Sequence, residues 1–238
     1  MHTEQLYAVD SSLKEFDSTA LLAEGDEVAL SRTAFYPGGG GQPHDLGVLV
    51  AGDRRWQVTA LRKDGELLWH RLEGAPTPRI GETVSGKLDW ERRYLLMRTH
   101  TALHILSAIA YSDYGATVTG GNMEPGEGRL DFEISDFTSA VAEAMIRKAN
   151  EEVSQGRPVR VYTLPREEAL ALPDLIRTKT NLIPASVSHI RIVEIDGLDR
   201  QADGGTHVQS TAEVGLITLR GTRSKGASNK RIMIGLEL

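Results

Sequence analysis

The sequence predicts an α+β protein in which a small β-barrel is followed by helices and mostly antiparallel strands. Over the first ninety residues, apolar runs such as EVALSRTAFY, GVLVAG, WQVTALRK, ELLWHRLEG and TVSGKLD alternate with turn sequences. Their spacing, about ten residues, is typical of a barrel or sandwich. After Asp89 the apolar residues follow a helical period instead. We therefore expect two domains, 1–90 and 91–238.

The longest predicted helix begins after Asp89, a good N-cap, carries Glu91 in its first turn and ends at Gly115. Its predicted buried stripe contains Leu95, Leu96, Leu103, Leu106 and Ile109. Further helices are predicted over SAVAEAMIRKANEEVSQG and from Pro165 onward. Strands are predicted over RPVRVYTL, HIRIVEIDG, VGLITLRG and KRIMIGLEL.

Composition excludes several classes of protein. The chain has 238 residues, 40% of them hydrophobic and 25% charged, as in an ordinary globular protein. No apolar run approaches the roughly 20 residues of a membrane helix, and the N-terminus lacks a secretory signal pattern. We therefore expect a cytoplasmic protein with no membrane partner. The absence of cysteine excludes disulfides, thiolate metal ligands and thiol nucleophiles.

The formal net charge of −6 argues against a protein that coats nucleic acid generally. Contact with a nucleic acid would need a local basic patch, and the segment RGTRSKGASNKR at 220–231 is one candidate. It contains five basic residues and no acidic ones: Arg220, Arg223, Lys225, Lys230 and Arg231. A solvated loop is the alternative interpretation.

Two pairs of potential metal ligands share one spacing. His100 and His104 lie four apart on the long predicted helix, so both imidazoles face one side and can converge on a cation. A zinc protease with this spacing has a glutamate after the first histidine, whereas this chain has Thr101. The alternative is two polar residues on a solvated helix face.

The second pair is Asp203 and His207, in the segment ADGGTHV. Three histidines and one carboxylate fit a closed zinc site with four protein ligands, or a catalytic site with three. Taken alone, the DGGTH segment is also compatible with an ordinary turn.

A glycine-rich segment, FYPGGGGQP, lies in the N-terminal part. Its glycines are Gly38, Gly39, Gly40 and Gly41, followed by Gln42. The exposed backbone N–H groups of such a loop can bind phosphate. It is not a P-loop, because no Gly-Lys-Ser/Thr follows, and a hairpin loop is the alternative.

Taken together, T-x-FYP-x-GGGQP, His-x-x-x-His and Q-A-x-GGTHV resemble the editing domain of alanyl-tRNA synthetase, and in particular its freestanding relatives, the AlaX group. The resemblance extends over most of the chain. It implies a β-barrel domain followed by an α+β editing domain, and hydrolysis of misacylated alanine tRNA carrying serine or glycine. It also implies one zinc per chain, with tRNA as the partner and no DNA.

The resemblance assigns His100, His104 and His207 to zinc, but Asp203 stands where the family has cysteine. Asp203 then either completes the ligand set, which we favour, or stands off the metal as a general base. The resemblance also assigns catalytic roles to Thr33, which would recognise the serine hydroxyl, and to Gln42. Thr33 as a plain strand residue is the alternative.

The resemblance further implies that Gly38–Gly41 contact the tRNA acceptor end and that Lys225, Lys230 and Arg231 contact phosphates. Two other functions stay open: a relative that binds tRNA or metal without catalysis, and a metal-dependent hydrolase of another ester. We expect a monomer.

Overall fold

The protein is described by a computed structural model that covers residues 1–74, 76–135, 137–173, 175–176, 183–185, 187–224, 226 and 229–237. Its residues group into two compact units, Met1–Tyr94 and Leu95–Leu238. A closed barrel, antiparallel sheets and helices confirm the α+β class. No helix among the described residues is long and apolar enough to cross a membrane.

The first unit consists mainly of strands. They are β1 (Glu4–Gln5), β2 (Glu15–Glu24), β3 (Glu27–Leu30), β4 (Arg32–Thr33), β5 (Gly47–Ala51), β6 (Arg54–Asp64), β7 (Leu67–Glu73) and β8 (Thr83–Leu88). A barrel closes in the order β2-β3-β7-β6-β5-β8, and all its pairs are antiparallel. β1 pairs with β4 in parallel, and a short 3-10 helix covers Leu6–Ala8.

The barrel interior is filled by alternate side chains of these strands. Its core contains Phe16, Ala20, Val28, Leu30, Ala34, Phe35, Leu49, Trp56, Val58, Leu72, Val84 and Leu88. Gly86 leaves room for the ring of Phe16, since a Cβ at Gly86 would lie 2.3 Å from that ring. This strand pair, β2 with β8, closes the barrel.

The second unit combines two sheets with helices. Its elements are α1 (Trp90–Tyr114, of which residues 95–114 belong to this unit), β9 (Thr117–Glu124), β10 (Glu127–Glu133), α2 (Ser139–Ser154), β11 (Val159–Pro165), α3 (Arg166–Leu170), β12 (His189–Ile195), β13 (Asp199–Ala202), β14 (Ile217–Ser224) and β15 (Asn229–Leu236). One sheet has the order β14-β15-β10-β9 and the other β11-β12-β13. A 3-10 helix covers Thr211–Val214.

The long helix α1 has the predicted ends. The Asp89 side chain accepts a hydrogen bond from the Arg92 backbone, and Gly115 follows the helix with a φ of 61°. The predicted one-sided stripe was too narrow, because residues 99–110 are all buried. Within the second unit, Thr99 and Leu103 pack against Gly128 of β10, whereas His104 contacts Asp199 of β13. The helix is therefore covered on more than one side.

Candidate metal centre

Four side chains with metal-binding chemistry converge in the second unit. His100 and His104 lie one turn apart on α1, and Asp203 and His207 lie in the segment after β13. One ligand atom from each lies within 4.8 Å of the others. The three imidazoles are buried. The structure thus brings together the four residues that the sequence predicted as ligands.

Local hydrogen bonds hold Asp203 in the centre. Its Oδ2 accepts the Gly205 backbone N–H at 2.7 Å and lies 3.1 Å from Nε2 of His207. Its Oδ1 lies 3.7 Å from Nε2 of His100. Its backbone oxygen accepts from Nη1 of Arg191 at 2.9 Å. Both carboxylate oxygens therefore face imidazole Nε2 atoms.

The other nitrogens of two imidazoles are bound outside the cluster. Nδ1 of His104 lies 3.0 Å from Oδ2 of Asp199, and Nδ1 of His207 lies 3.1 Å from Oγ1 of Thr101. These contacts leave Nε2 of each ring for a metal.

Burial and charge set the protonation of the cluster. Burial lowers the pKa of His100 to about 4 and, together with the neighbouring His100, lowers the pKa of His207 well below its usual value. Burial also opposes the charged form of His104, but the hydrogen bond to Asp199 raises its pKa overall. Burial would raise the pKa of Asp203, yet the imidazole of His100 and the hydrogen bond to His207 hold it well below its usual range.

The donor set fits a divalent metal such as zinc. Neutral imidazoles at His100 and His207 and an ionised carboxylate are the forms in which these groups bind metal. Three buried imidazole nitrogens and one partly buried carboxylate oxygen match the number of donors that a closed tetrahedral site takes. The residues present can therefore hold the metal.

The glycine-rich loop lies in the first unit and has a defined backbone. Gly38, Gly39, Gly40 and Gly41 all have positive φ angles, between 59° and 132°, a region that side-chain-bearing residues rarely adopt. Gly39 and Gln42 exchange two backbone hydrogen bonds of 3.0 and 2.9 Å. Gln42 is 2% exposed.

Thr33 lies in β4 and is fully buried. Its hydroxyl lies 2.9 Å from Nε2 of His70 and accepts the backbone N–H of Phe35 at 3.2 Å. Burial lowers the pKa of His70 to about 4, so this imidazole is neutral at pH 7. With Nδ1 of His70 directed at the Val28 carbonyl oxygen at 3.3 Å, Nε2 is the acceptor of the Thr33 hydroxyl proton.

Of the basic candidates, Arg220, Arg223, Lys230 and Arg231 lie on β14 and β15, and Lys225 lies outside the described residues. Arg231 donates two hydrogen bonds to Asp131, of 2.6 and 2.9 Å. Nζ of Lys230 donates to Oγ of Ser224 and to the backbone oxygen of Gly226.

Sequence reasoning missed Asp199, Thr101 and His70, the residues that hold His104, His207 and Thr33. The sequence distinguished Thr101 only as the position at which a zinc protease has a glutamate, and it did not predict the contact of Thr101 with His207. Asp199 and His70 lie on strands, far in sequence from their partners, so no local spacing marks them.

Known protein families match both ends of the chain. Residues 3–92 match the family described as "tRNA synthetases class II (A)". Residues 190–233 match "Threonyl and Alanyl tRNA synthetase second additional domain". Each match covers less than half of the chain.

Similarity to individual proteins extends over nearly the whole chain. The alanyl-tRNA editing protein AlaX-M of Saccharolobus solfataricus is 41% identical over 233 residues, 97% of each chain. That of Methanosarcina mazei is 34% identical, covering 98% of this chain and 96% of the relative. The alanine–tRNA ligase of Ignicoccus hospitalis is 37% identical over 93% of this chain but only 24% of the ligase. The protein therefore belongs to the alanyl-tRNA editing protein family, as its motifs predicted.

Proposed function

We propose that the protein is a metal-dependent hydrolase that removes wrongly attached amino acids from alanine tRNA, with seryl-tRNA as substrate and glycyl-tRNA as a second one. The observation that carries this proposal is the convergence of three buried histidines, His100, His104 and His207, with the partly buried Asp203. It supports the proposal because this chain is 41% identical to a protein named for alanyl-tRNA editing.

The proposed cofactor is one zinc ion per chain, held by these four residues. When bound, the metal supplies a Lewis acid that can orient and polarise an oxygen or nitrogen at the tRNA terminus. The buried imidazoles exclude bulk water from this place, which strengthens electrostatic interactions there.

Asp203 is proposed as a ligand. Its two oxygens lie 3.7 and 3.1 Å from Nε2 of His100 and of His207, among the atoms that would bind the metal. The hydrogen bond from Gly205 holds this orientation. In the alternative, Asp203 is a general base that takes a proton from the attacking water. The two roles predict opposite zinc affinities for Asp203→Asn: reduced if Asp203 is a ligand, unchanged if it is a general base.

Thr33 is proposed to recognise the serine hydroxyl. Its own proton goes to His70 and one lone pair to Phe35, so one lone pair stays available to accept a proton from a substrate hydroxyl. Alanine has no such proton and would leave this lone pair unpaired. Because Thr33 is fully buried, a substrate reaches it only after neighbouring side chains move.

The tRNA contacts are proposed to come from two surfaces. The Gly38–Gln42 loop, with its catalytic Gln42, would bind the acceptor end. The basic residues Lys225, Lys230 and Arg231 would bind phosphates, which allows a chain of net charge −6 to bind an anion. We also propose that residues 1–90 form a β-barrel domain that carries the glycine-rich loop, and that residues 91–238 form the α+β metal-binding editing domain. The protein is proposed to be a monomer.

Deacylation of purified alanine tRNA charged with serine, glycine or alanine tests this function. We expect the seryl and glycyl esters to be hydrolysed and the alanyl ester to be spared. Retention of seryl-tRNA without hydrolysis would instead identify a non-catalytic binding protein. Absence of both binding and hydrolysis would point to another ester as substrate.

A further inference from the structure

A buried carboxylate lies behind the metal centre without belonging to the predicted ligand set. Asp199 begins β13, and its side chain is fully buried. Its Oδ2 lies 3.0 Å from Nδ1 of His104 and accepts a hydrogen bond of 2.8 Å from Nε2 of Gln201. An ionised carboxylate is costly to bury unless such partners compensate it. The position therefore requires an explanation beyond packing.

The contact between His104 and Asp199 determines the tautomer of His104. A carboxylate only accepts hydrogen bonds, so the imidazole must donate its Nδ1 proton to Asp199. In the neutral ring the lone pair is then on Nε2. Nε2 is also the nitrogen left for the cluster with His100, Asp203 and His207.

We propose that Asp199 is the positioning residue of the metal centre, which holds His104 in the tautomer and ring orientation that metal binding needs. The inference rests on the metal centre of the proposed function, but not on any reaction with tRNA. Metal-bound histidines commonly donate their second N–H to such a carboxylate, and loss of this partner weakens metal binding by about 10–100-fold.

Thr101 plays the same part for His207. Its hydroxyl lies 3.1 Å from Nδ1 of His207, so it occupies the position after His100 as a hydrogen-bond partner and not as a base. Thr99, on the same helix and equally buried, instead donates its hydroxyl to the Leu95 carbonyl oxygen at 2.7 Å. The two threonines therefore differ in whether they touch a metal ligand.

The test is the affinity for Zn²⁺ alone, measured by competition with a chromogenic chelator on the full chain without tRNA. We expect the dissociation constant to rise about 10-fold in Asp199→Asn, up to about 100-fold in Asp199→Ala, and about 10-fold in Thr101→Val. Asp196→Asn and Thr99→Val are the matched controls, since Asp196 pairs with Arg160 at 3.1 Å. Both should retain the affinity of the unmodified protein.

Nitrogen-15 spectra of the histidines report the tautomer of His104 directly, so they test the positioning role even if the Asp199 variants fail to fold. In the unmodified protein with one equivalent of Zn²⁺, His104 should bind metal through Nε2 and carry its proton on Nδ1. This measurement needs no variant. Metal bound through Nδ1, failure of the unmodified protein to bind Zn²⁺, or a folded Asp199→Asn with unchanged affinity would each overturn the proposal. Tight Zn²⁺ binding that depends on Asp199, without deacylation, would support it while refuting the proposed function.

Discussion

Arg93 and Asp45 form a fully buried ion pair beside the glycine-rich loop. Nε of Arg93 donates to Oδ1 of Asp45 at 2.9 Å, and Nη2 donates to the Ala34 carbonyl oxygen at 2.6 Å. Oδ2 of Asp45 accepts the backbone N–H of Tyr36. The pair thus connects the two chain segments from which the loop of residues 37–44 emerges, and it holds them at a fixed separation.

Removal of one partner should strongly destabilise the protein. Arg93→Met leaves the Asp45 carboxylate buried without its cation, and we expect the free energy of unfolding to fall by about 3–5 kcal/mol. Denaturant unfolding measures this change. The control is Arg62→Met, which breaks the exposed pair with Glu27 and should cost less than about 1 kcal/mol. Equal effects of the two substitutions would show that the buried pair has no special role.

Thr33→Val should reduce selectivity for serine. The substitution keeps the shape of the side chain but removes the lone pair that would accept the substrate hydroxyl. We expect the ratio of seryl- to alanyl-tRNA hydrolysis to fall by at least about 10-fold, the equivalent of one unsatisfied hydrogen bond. Thr3→Val is the control, because Thr3 is also buried and its hydroxyl bonds to the backbone of Leu30 and Leu68. If both variants keep the ratio, Thr33 is a structural strand residue.

His70 should make stability depend on pH. Its pKa is about 4 in the folded protein and about 6.5 in an unfolded chain. Between these values the unfolded chain binds more protons, so the free energy of unfolding rises with pH. This contribution, about 3 kcal/mol for one buried group, is complete above pH 6.5 and is lost as the pH falls to about 4. His70→Gln should reduce the dependence over this range, leaving the part due to other buried histidines such as His100, whereas His2→Gln, at an exposed position, should leave it unchanged.

A phosphate contact predicts a particular salt dependence. Lys230→Ala should weaken binding of tRNA irrespective of its sequence and reduce the slope of log affinity against log salt concentration by about 1. Lys63→Ala, which removes an exposed lysine of the first unit, is the control. If the two variants have the same slope as the unmodified protein, Lys230 does not bind phosphate.

Local pattern was enough to predict the class of fold and the two longest helices, α1 and α2. Asp89 caps the N-terminus of α1, and Gly115 follows its C-terminus with a positive φ. Because both residue types signal helix ends, the sequence predicted the bounds of this helix. β2 was missed, because its inward positions include Ser18 and Ala20, small or polar residues that weaken the apolar alternation. The burial of residues 99–110 of α1 on all sides was also missed, since it depends on elements distant in sequence.

For the candidate site, too, the sequence predicts features that are local in the chain and misses contacts between distant residues. The spacing of His100 with His104, and of Asp203 with His207, was visible because each pair is local. That the two pairs meet depends on the packing of α1 against the segment after β13, which the family resemblance implied and the structure supplies. Asp199 and His70 act on partners far away in sequence, so only the structure could identify them.

Asp203→Cys should preserve the metal centre. Thiolate carries the same single charge as the carboxylate and is a better donor for zinc. We therefore expect tighter zinc binding with deacylation retained, measured by chelator competition and by release of serine from tRNA. A cysteine variant that binds zinc no better than the unmodified protein would place this side chain outside the ligand set.

The central claim is that Asp203 and three histidines hold the metal together, and the zinc affinity of Asp203→Asn tests it most directly. The amide keeps the shape of the side chain but loses its charge. If Asp203 is a ligand, the Asp203→Asn variant should lose much of the zinc affinity, and its rate of deacylation should fall in parallel. Unchanged zinc affinity with deacylation reduced by about 10²–10⁴-fold, the usual share of acid–base catalysis, would contradict ligation and identify Asp203 as a general base.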